Sequence, residues 1–152
     1  MVGDKEKPWA HQEINCFVRL IVKNRGDRAM ATILIIEDDP EIRELYRRIL
    51  ERAGYQVLDA PDGDVGVRIF REKPVDLVLT DIVMPEKEGL ETIMELKREF
   101  PSVRIIAMSG GGKATASFTC LHLAKMLGAD QILTKPIPRT QLIEAVKAVL
   151  SI

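Results

Sequence analysis

A membrane-spanning run, a basic excess and a plausible cysteine pair are all missing from this chain, and each absence removes a class of function. No apolar stretch approaches the roughly 20 residues that a helical span needs. A secretory signal would want an unbroken apolar core and a small-residue cleavage site. The one early apolar patch, Ile14 to Val22, is interrupted by Arg19 and has neither. Lys and Arg number 22 against 23 Asp and Glu, a formal net charge of -1, so nothing supports direct binding to nucleic acid. The two cysteines, Cys16 and Cys120, lie far apart with no second Cys or His at ligand spacing. They read as reduced thiols of a cytoplasmic protein. Low-complexity segments and long repeats are absent too.

What is present suits one ordinary domain. The 152 residues are 46% hydrophobic and 30% charged, enough for a substantial core with a well-solvated surface. Residues 1–30 do not match the rest. They mix both charges, carry the single tryptophan (Trp9), and end in the polar run Lys23 to Arg28. Met30-Ala31-Thr32 is a natural start, so residues 1–30 are read as an extension or linker ahead of a domain over 31–152. The rival reading is an arm that docks on the domain or on a partner through Ile14, Phe17 and Leu20.

From Thr32 onward the pattern is regular. Ile33 to Ile36 is a short apolar run, as expected of a buried strand. Asp39 is placed to cap a helix with Pro40 in its first turn, and Ile42, Leu45, Tyr46, Ile49, Leu50 and Ala53 recur at helical spacing up to Gly54. A second strand is expected over Tyr55–Ala60. A helix weakened by Gly66 follows, carrying Val65, Ile69 and Phe70. Leu77-Val78-Leu79-Thr80 reads as a third strand, with Asp81 at its end and Met84-Pro85 closing regular structure. Gly89 and Leu90 open a helix with Ile93, Met94 and Leu96. Val103–Met108 is a fourth strand ending at Ser109, and Gly110-Gly111-Gly112 is loop. After a helix through Leu121, Ala124, Lys125 and Leu127 to Gly128 come a fifth strand, Gln131–Thr134, and a last helix from about Arg139 to Leu150. Strict β-α alternation with short connections predicts an α/β fold. Its form is a doubly wound, five-stranded parallel sheet of order 2-1-3-4-5 between two helical layers.

That order gathers chemistry at one edge. Just past the strand ends lie Glu37, Asp38 and Asp39, then Asp81, Ser109 and Lys135. Crowded carboxylates repel, and a hard divalent cation such as Mg²⁺, bound by a few carboxylates plus waters, relieves the conflict. A carboxylate nucleophile attacking phosphorus wants such a metal and a cation beside it. Asp81 is the candidate nucleophile, with the acids of Glu37-Asp38-Asp39, Lys135 and Ser109 as the groups around it. Separately, each has an ordinary structural explanation: a helix cap for Asp39, a turn for Ser109, a solvated side chain for Lys135. Together they favour a function.

The ordered set Glu37-Asp38-Asp39-Pro40, Asp81-Ile82-Val83-Met84-Pro85 with Gly89-Leu90, Ser109, and Lys135-Pro136 resembles the receiver domain of bacterial two-component response regulators. The likeness runs from about Thr32 to Leu150. It implies a phosphorelay protein rather than an enzyme in the usual sense, in which Asp81 accepts a phosphoryl group from a sensor histidine kinase or a histidine phosphotransfer protein. It further implies Mg²⁺ held by Asp38 directly, by Glu37 largely through water and by the Val83 backbone carbonyl. Ser109 is then the switch hydroxyl, Lys135 the partner of the phosphoryl group, and the Lys135–Pro136 bond cis. Homodimerisation on phosphorylation and an unidentified downstream target belong to the same expectation. Because the sequence stops with the last receiver helix, output through contacts is expected, either by binding a target or by relaying the phosphoryl group to another protein.

Two departures stand out. The family's usual Tyr or Phe three residues before the lysine is Ile132, so an aromatic switch cannot operate. The loop after Ser109 is longer and glycine-rich, and residues 110–118 are the candidates to reorder in its place. Val83 and Gly111 offer no group to position an attacking water, which predicts slow self-dephosphorylation. A flavodoxin-like nucleotide binder is disfavoured because Glu37-Asp38-Asp39 would repel a phosphate. A phosphohydrolase with an Asp nucleophile is disfavoured because Val83 stands where its second acid belongs. A degenerate, partner-binding receiver is disfavoured by the intact set of acids, Ser109 and Lys135.

Overall fold

A computed structural model describes residues 30–82, 89–110 and 122–151. The elements are β1 (Thr32–Ile36), α1 (Pro40–Arg52), β2 (Gln56–Ala60), α2 (Gly63–Glu72), β3 (Leu77–Asp81), α3 (Gly89–Glu99) and β4 (Ile105–Ser109). A helical stretch over 122–126 (α4) leads to β5 (Gln131–Thr134) and α5 (Arg139–Leu150). All strand pairs are parallel, in the order β2-β1-β3-β4-β5 expected from the alternation. Of the extension, only Met30 falls among the described residues.

Side chains alternate across β1, so Leu34 and Ile36 enter one core and Ile33 and Ile35 the other. Val67 and Phe70 of α2, Ile93 and Leu96 of α3 and Ala124 close over the first face. Tyr46 and Leu50 of α1, with Leu142, Val146 and Val149 of α5, close over the second. Helices on both faces leave β1, β3 and β4 nearly dry, which is why their sequences are continuous apolar runs.

Local chemistry sets the element ends. Asp39 caps α1, its carboxylate accepting from the Glu41 and Ile42 amides, with Pro40 in the first turn. Gly54 ends that helix at φ +95°, a left-handed conformation that costs a glycine nothing. At the other edge of the sheet two aspartates act alike. The Thr32 amide donates to Asp76 Oδ2 at 2.8 Å while the Asp76 amide donates to the Thr32 carbonyl at 2.8 Å. Asp130 makes the same reciprocal pair with Ile105, both bonds 2.8 Å. Each aspartate thereby fastens the start of its own strand to the start of the next.

Several expectations need correction. Leu45 and Met94 lie on the helical stripes but are each 55% exposed, because α1 and α3 each turn a narrower face to the sheet than their apolar spacing allows. The second strand begins at Gln56, since the Tyr55 amide is taken by the Leu50 carbonyl at the helix end. The fourth begins at Ile105. Val103 is held in a turn by its amide bond to the Phe100 carbonyl, and Lys97 Nζ donates to the Val103 carbonyl at 2.6 Å. Gly66 is more than a weak spot in α2: a Cβ there would lie 2.4 Å from Ile36 Cδ1, so glycine lets α2 approach β1.

Candidate functional site

Strand register brings the acids level. Ile36 of β1 lies opposite Thr80 of β3, so Glu37 and Asp81 are each the next residue along adjacent strands. Asp81 lies opposite Met108, and Ser109 opposite Thr134, one residue before Lys135. Glu37 stays attached to the sheet, its amide donating to the Ala60 carbonyl at 3.1 Å, and its side chain is 1% exposed. Asp81 is 5% exposed, and Asp38 is exposed. One carboxylate oxygen from each of Glu37, Asp38 and Asp81 lies within 4.8 Å of the others.

Lys135 joins this cluster from beyond β4. Its amide donates to the Ser109 carbonyl at 2.8 Å, and the following bond to Pro136 is cis, as expected. Lys135 Nζ donates to Glu37 Oε2 at 2.5 Å and to Asp81 Oδ2 at 2.9 Å. Ser109 is fully buried at the adjacent strand end. The backbone behind Asp81 is tight. The Gly89 amide donates to the Ile82 carbonyl at 2.8 Å, and a Cβ on Gly89 would fall 2.0 Å from the Asp81 carbonyl oxygen.

Electrostatics follow from burial. Desolvation raises the Glu37 carboxyl to about 7, helped by the negative charge of Asp81 and opposed by the Lys135 bond. Burial alone would lower the Lys135 ammonium. Its bonds to Glu37 and Asp81 outweigh that and leave its pKa raised, so it stays charged. Three converging carboxylate oxygens, one of them solvent-facing, suit a hard divalent cation that keeps several waters. A cation there would also relieve the mutual repulsion that helps hold Glu37 protonated.

Residues 33–147 match the response regulator receiver domain. The chain belongs to that family. It is therefore a signal-transduction domain of the two-component type, a regulator rather than a conventional enzyme. It is 34% identical over 119 residues to the response regulator GtcR of Aneurinibacillus migulanus, covering 78% of this chain and 47% of that protein. The chain spans about half the length of the first such curated relatives. Protein PilH of Pseudomonas aeruginosa is 35% identical over 126 residues, covering 80% of this chain and 99% of PilH. Among solved structures, a response regulator receiver domain protein from Clostridium thermocellum superposes with a TM-score of 0.74 at 31% identity. That match covers 80% of this chain and 95% of that one.

Within this receiver the fold gathers Glu37, Asp38, Asp81 and Lys135 directly, and Ser109 through the backbone of Lys135. Val83, the glycines at 111 and 112 and the segment through Phe118 lie outside the described residues. Ile132 sits on the edge strand β5, 39% exposed. Sequence reasoning missed Arg43, whose guanidinium reaches the Glu37 carbonyl. A single arginine four residues after a helix cap carries no recognisable signal. Among the described residues no helix is long and apolar enough to cross a membrane.

Proposed function

We propose that the chain is a phosphoacceptor of a two-component phosphorelay, with Asp81 as the residue that takes the phosphoryl group. One observation carries this reading: Lys135 Nζ bridges Asp81 Oδ2 and Glu37 Oε2 beside three converging carboxylates. An Asp81 oxygen attacks the phosphorus of a phosphohistidine, forming an O–P bond as the P–N bond breaks and the imidazole departs. Negative charge then spreads over the phosphoryl oxygens. Lys135 is within reach to pair with that charge, and the Ser109 hydroxyl is the candidate to follow it. Glu37, Asp38 and Asp81, with the Val83 carbonyl, are the residues that would hold Mg²⁺. When bound, that cation supplies positive charge against the carboxylates and the incoming phosphoryl group.

The donor in this reading is a sensor histidine kinase or histidine phosphotransfer protein. Output passes through altered contacts with a target protein in the cytoplasm, or with a second copy of the chain. Intact-protein mass after incubation with acetyl phosphate tests the core of the proposal. A Mg²⁺-dependent gain of one phosphoryl group, located on Asp81 by fragmentation, is expected. A gain on another residue would refute the assignment.

A further inference from the structure

Arg43 does more than decorate the surface of α1. Its Nη1 donates to the Glu37 carbonyl at 2.7 Å, and its own amide donates to the Asp39 carbonyl at 2.9 Å. The amide bond is an ordinary helix bond that any residue at 43 would make, so what the arginine adds is its side-chain hold on the residue before Asp38. Its Nε also lies 3.7 Å from Asp59 Oδ2 on β2, and the Arg43 side chain is only 21% exposed. Asp59 Oδ2 is shared with Arg47, whose Nη2 lies 3.1 Å away, so removing Arg47 would leave Asp59 to Arg43 alone. Within the loop, the Asp39 amide donates to Glu37 Oε1 at 3.2 Å, tying one acid of the cluster to the same turn.

We infer that Arg43 is a positioning residue for divalent-cation binding, locking the Glu37-Asp38-Asp39 turn so that the exposed Asp38 faces Glu37 and Asp81. The inference rests on the reading of this cluster as a cation site. Two opposite effects separate positioning from simple charge. Arg43 is a cation near an anionic site, so deleting its charge alone would tighten binding of a metal ion. Loss of a group that orients metal ligands costs about 10-fold to 100-fold in affinity. The sign of the change therefore decides between them.

The test measures Mg²⁺ affinity by competition against Mn²⁺ in electron paramagnetic resonance, for wild type, Arg43→Met, Arg43→Lys and Arg47→Met. It also follows exchange of the Glu37 and Asp39 amides in the metal-free proteins. Arg43→Met is expected to bind Mg²⁺ about 10-fold more weakly and to exchange those amides faster, with Arg43→Lys between it and wild type. Arg47→Met, which removes an equal charge without touching Glu37, should bind as well as wild type or better. Equal or tighter binding by Arg43→Met, or a matching loss in Arg47→Met, would overturn the inference. If wild type itself bound no Mg²⁺, the reading of the site would fail. Arg43 would then be judged by amide exchange alone, and unchanged exchange in Arg43→Met would sink it.

Discussion

β3 carries an aspartate at each end, and the two have opposite fates. Asp76, just before the strand, meets a backbone amide of the neighbouring strand and fastens it. Asp81, five residues later, faces other carboxylates and shares one ammonium with Glu37. Asp130 and Ile105 repeat the first arrangement on the far side of the sheet. Aspartate beside a strand end is therefore not in itself a sign of chemistry. A carboxylate answered one-to-one by a backbone donor is structural. Carboxylates crowded around a shared ammonium repel one another, and a bound metal ion relieves that repulsion.

Removing Lys135 should sharpen this contrast most. Lys135→Met leaves Glu37 and Asp81 buried without their cation, and breaking a buried pair in this way costs about 3–5 kcal/mol. Chemical denaturation of the metal-free protein should show a loss toward that size at pH 8 and a smaller one at pH 6, where Glu37 can take up a proton. Saturating Mg²⁺ should restore part of it. A loss that ignored both pH and Mg²⁺ would mean that Lys135 acts mainly by packing.

At the opposite edge the effects should be smaller and blind to metal. Asp76→Ala and Asp130→Ala each strip a backbone amide of its partner, at about 1–3 kcal/mol apiece. Because they fasten different strand pairs, the double variant should lose nearly the sum. Neither should alter Mg²⁺ affinity. A metal-binding defect in either would blur the distinction between the two edges.

A third expected effect is a slope with pH. Glu37 is raised from 4.5 to about 7 in the folded protein, so the folded state binds more protons than the unfolded chain between those values. Its contribution to metal-free stability is full below about 4.5 and is lost as pH rises through about 7. Subtracting the pH profile of Glu37→Gln from that of wild type should isolate this fall. Mg²⁺ affinity should climb through the same pH range as Glu37 ionises.

Much of this was legible in the sequence, for reasons that are local. The Asp39 cap, the turn at Gly54 and the apolar strands depend on near neighbours, and the sheet order follows from strict alternation. Glu37, Asp81, Ser109 and Lys135 were legible as a set because each sits at, or just past, the C-terminal end of a strand. What escaped depends on contacts between distant segments. Leu45 and Met94 obey helical spacing, but only the packing of α1 and α3 decides that they face water. Gly66 makes sense only once α2 lies against Ile36, and Asp76 once Thr32 lies beside it. Arg43 binds a carbonyl, a group every residue possesses, so no sequence pattern could announce it.

The most direct test sets the two ends of β3 against each other. Phosphoryl gain from acetyl phosphate would be followed by intact mass across a Mg²⁺ titration for wild type, Asp81→Asn and Asp76→Asn. The account predicts Mg²⁺-dependent gain of one phosphoryl group in wild type and Asp76→Asn, and none in Asp81→Asn. Undiminished gain in Asp81→Asn, or no gain in wild type at any Mg²⁺ concentration, would contradict it.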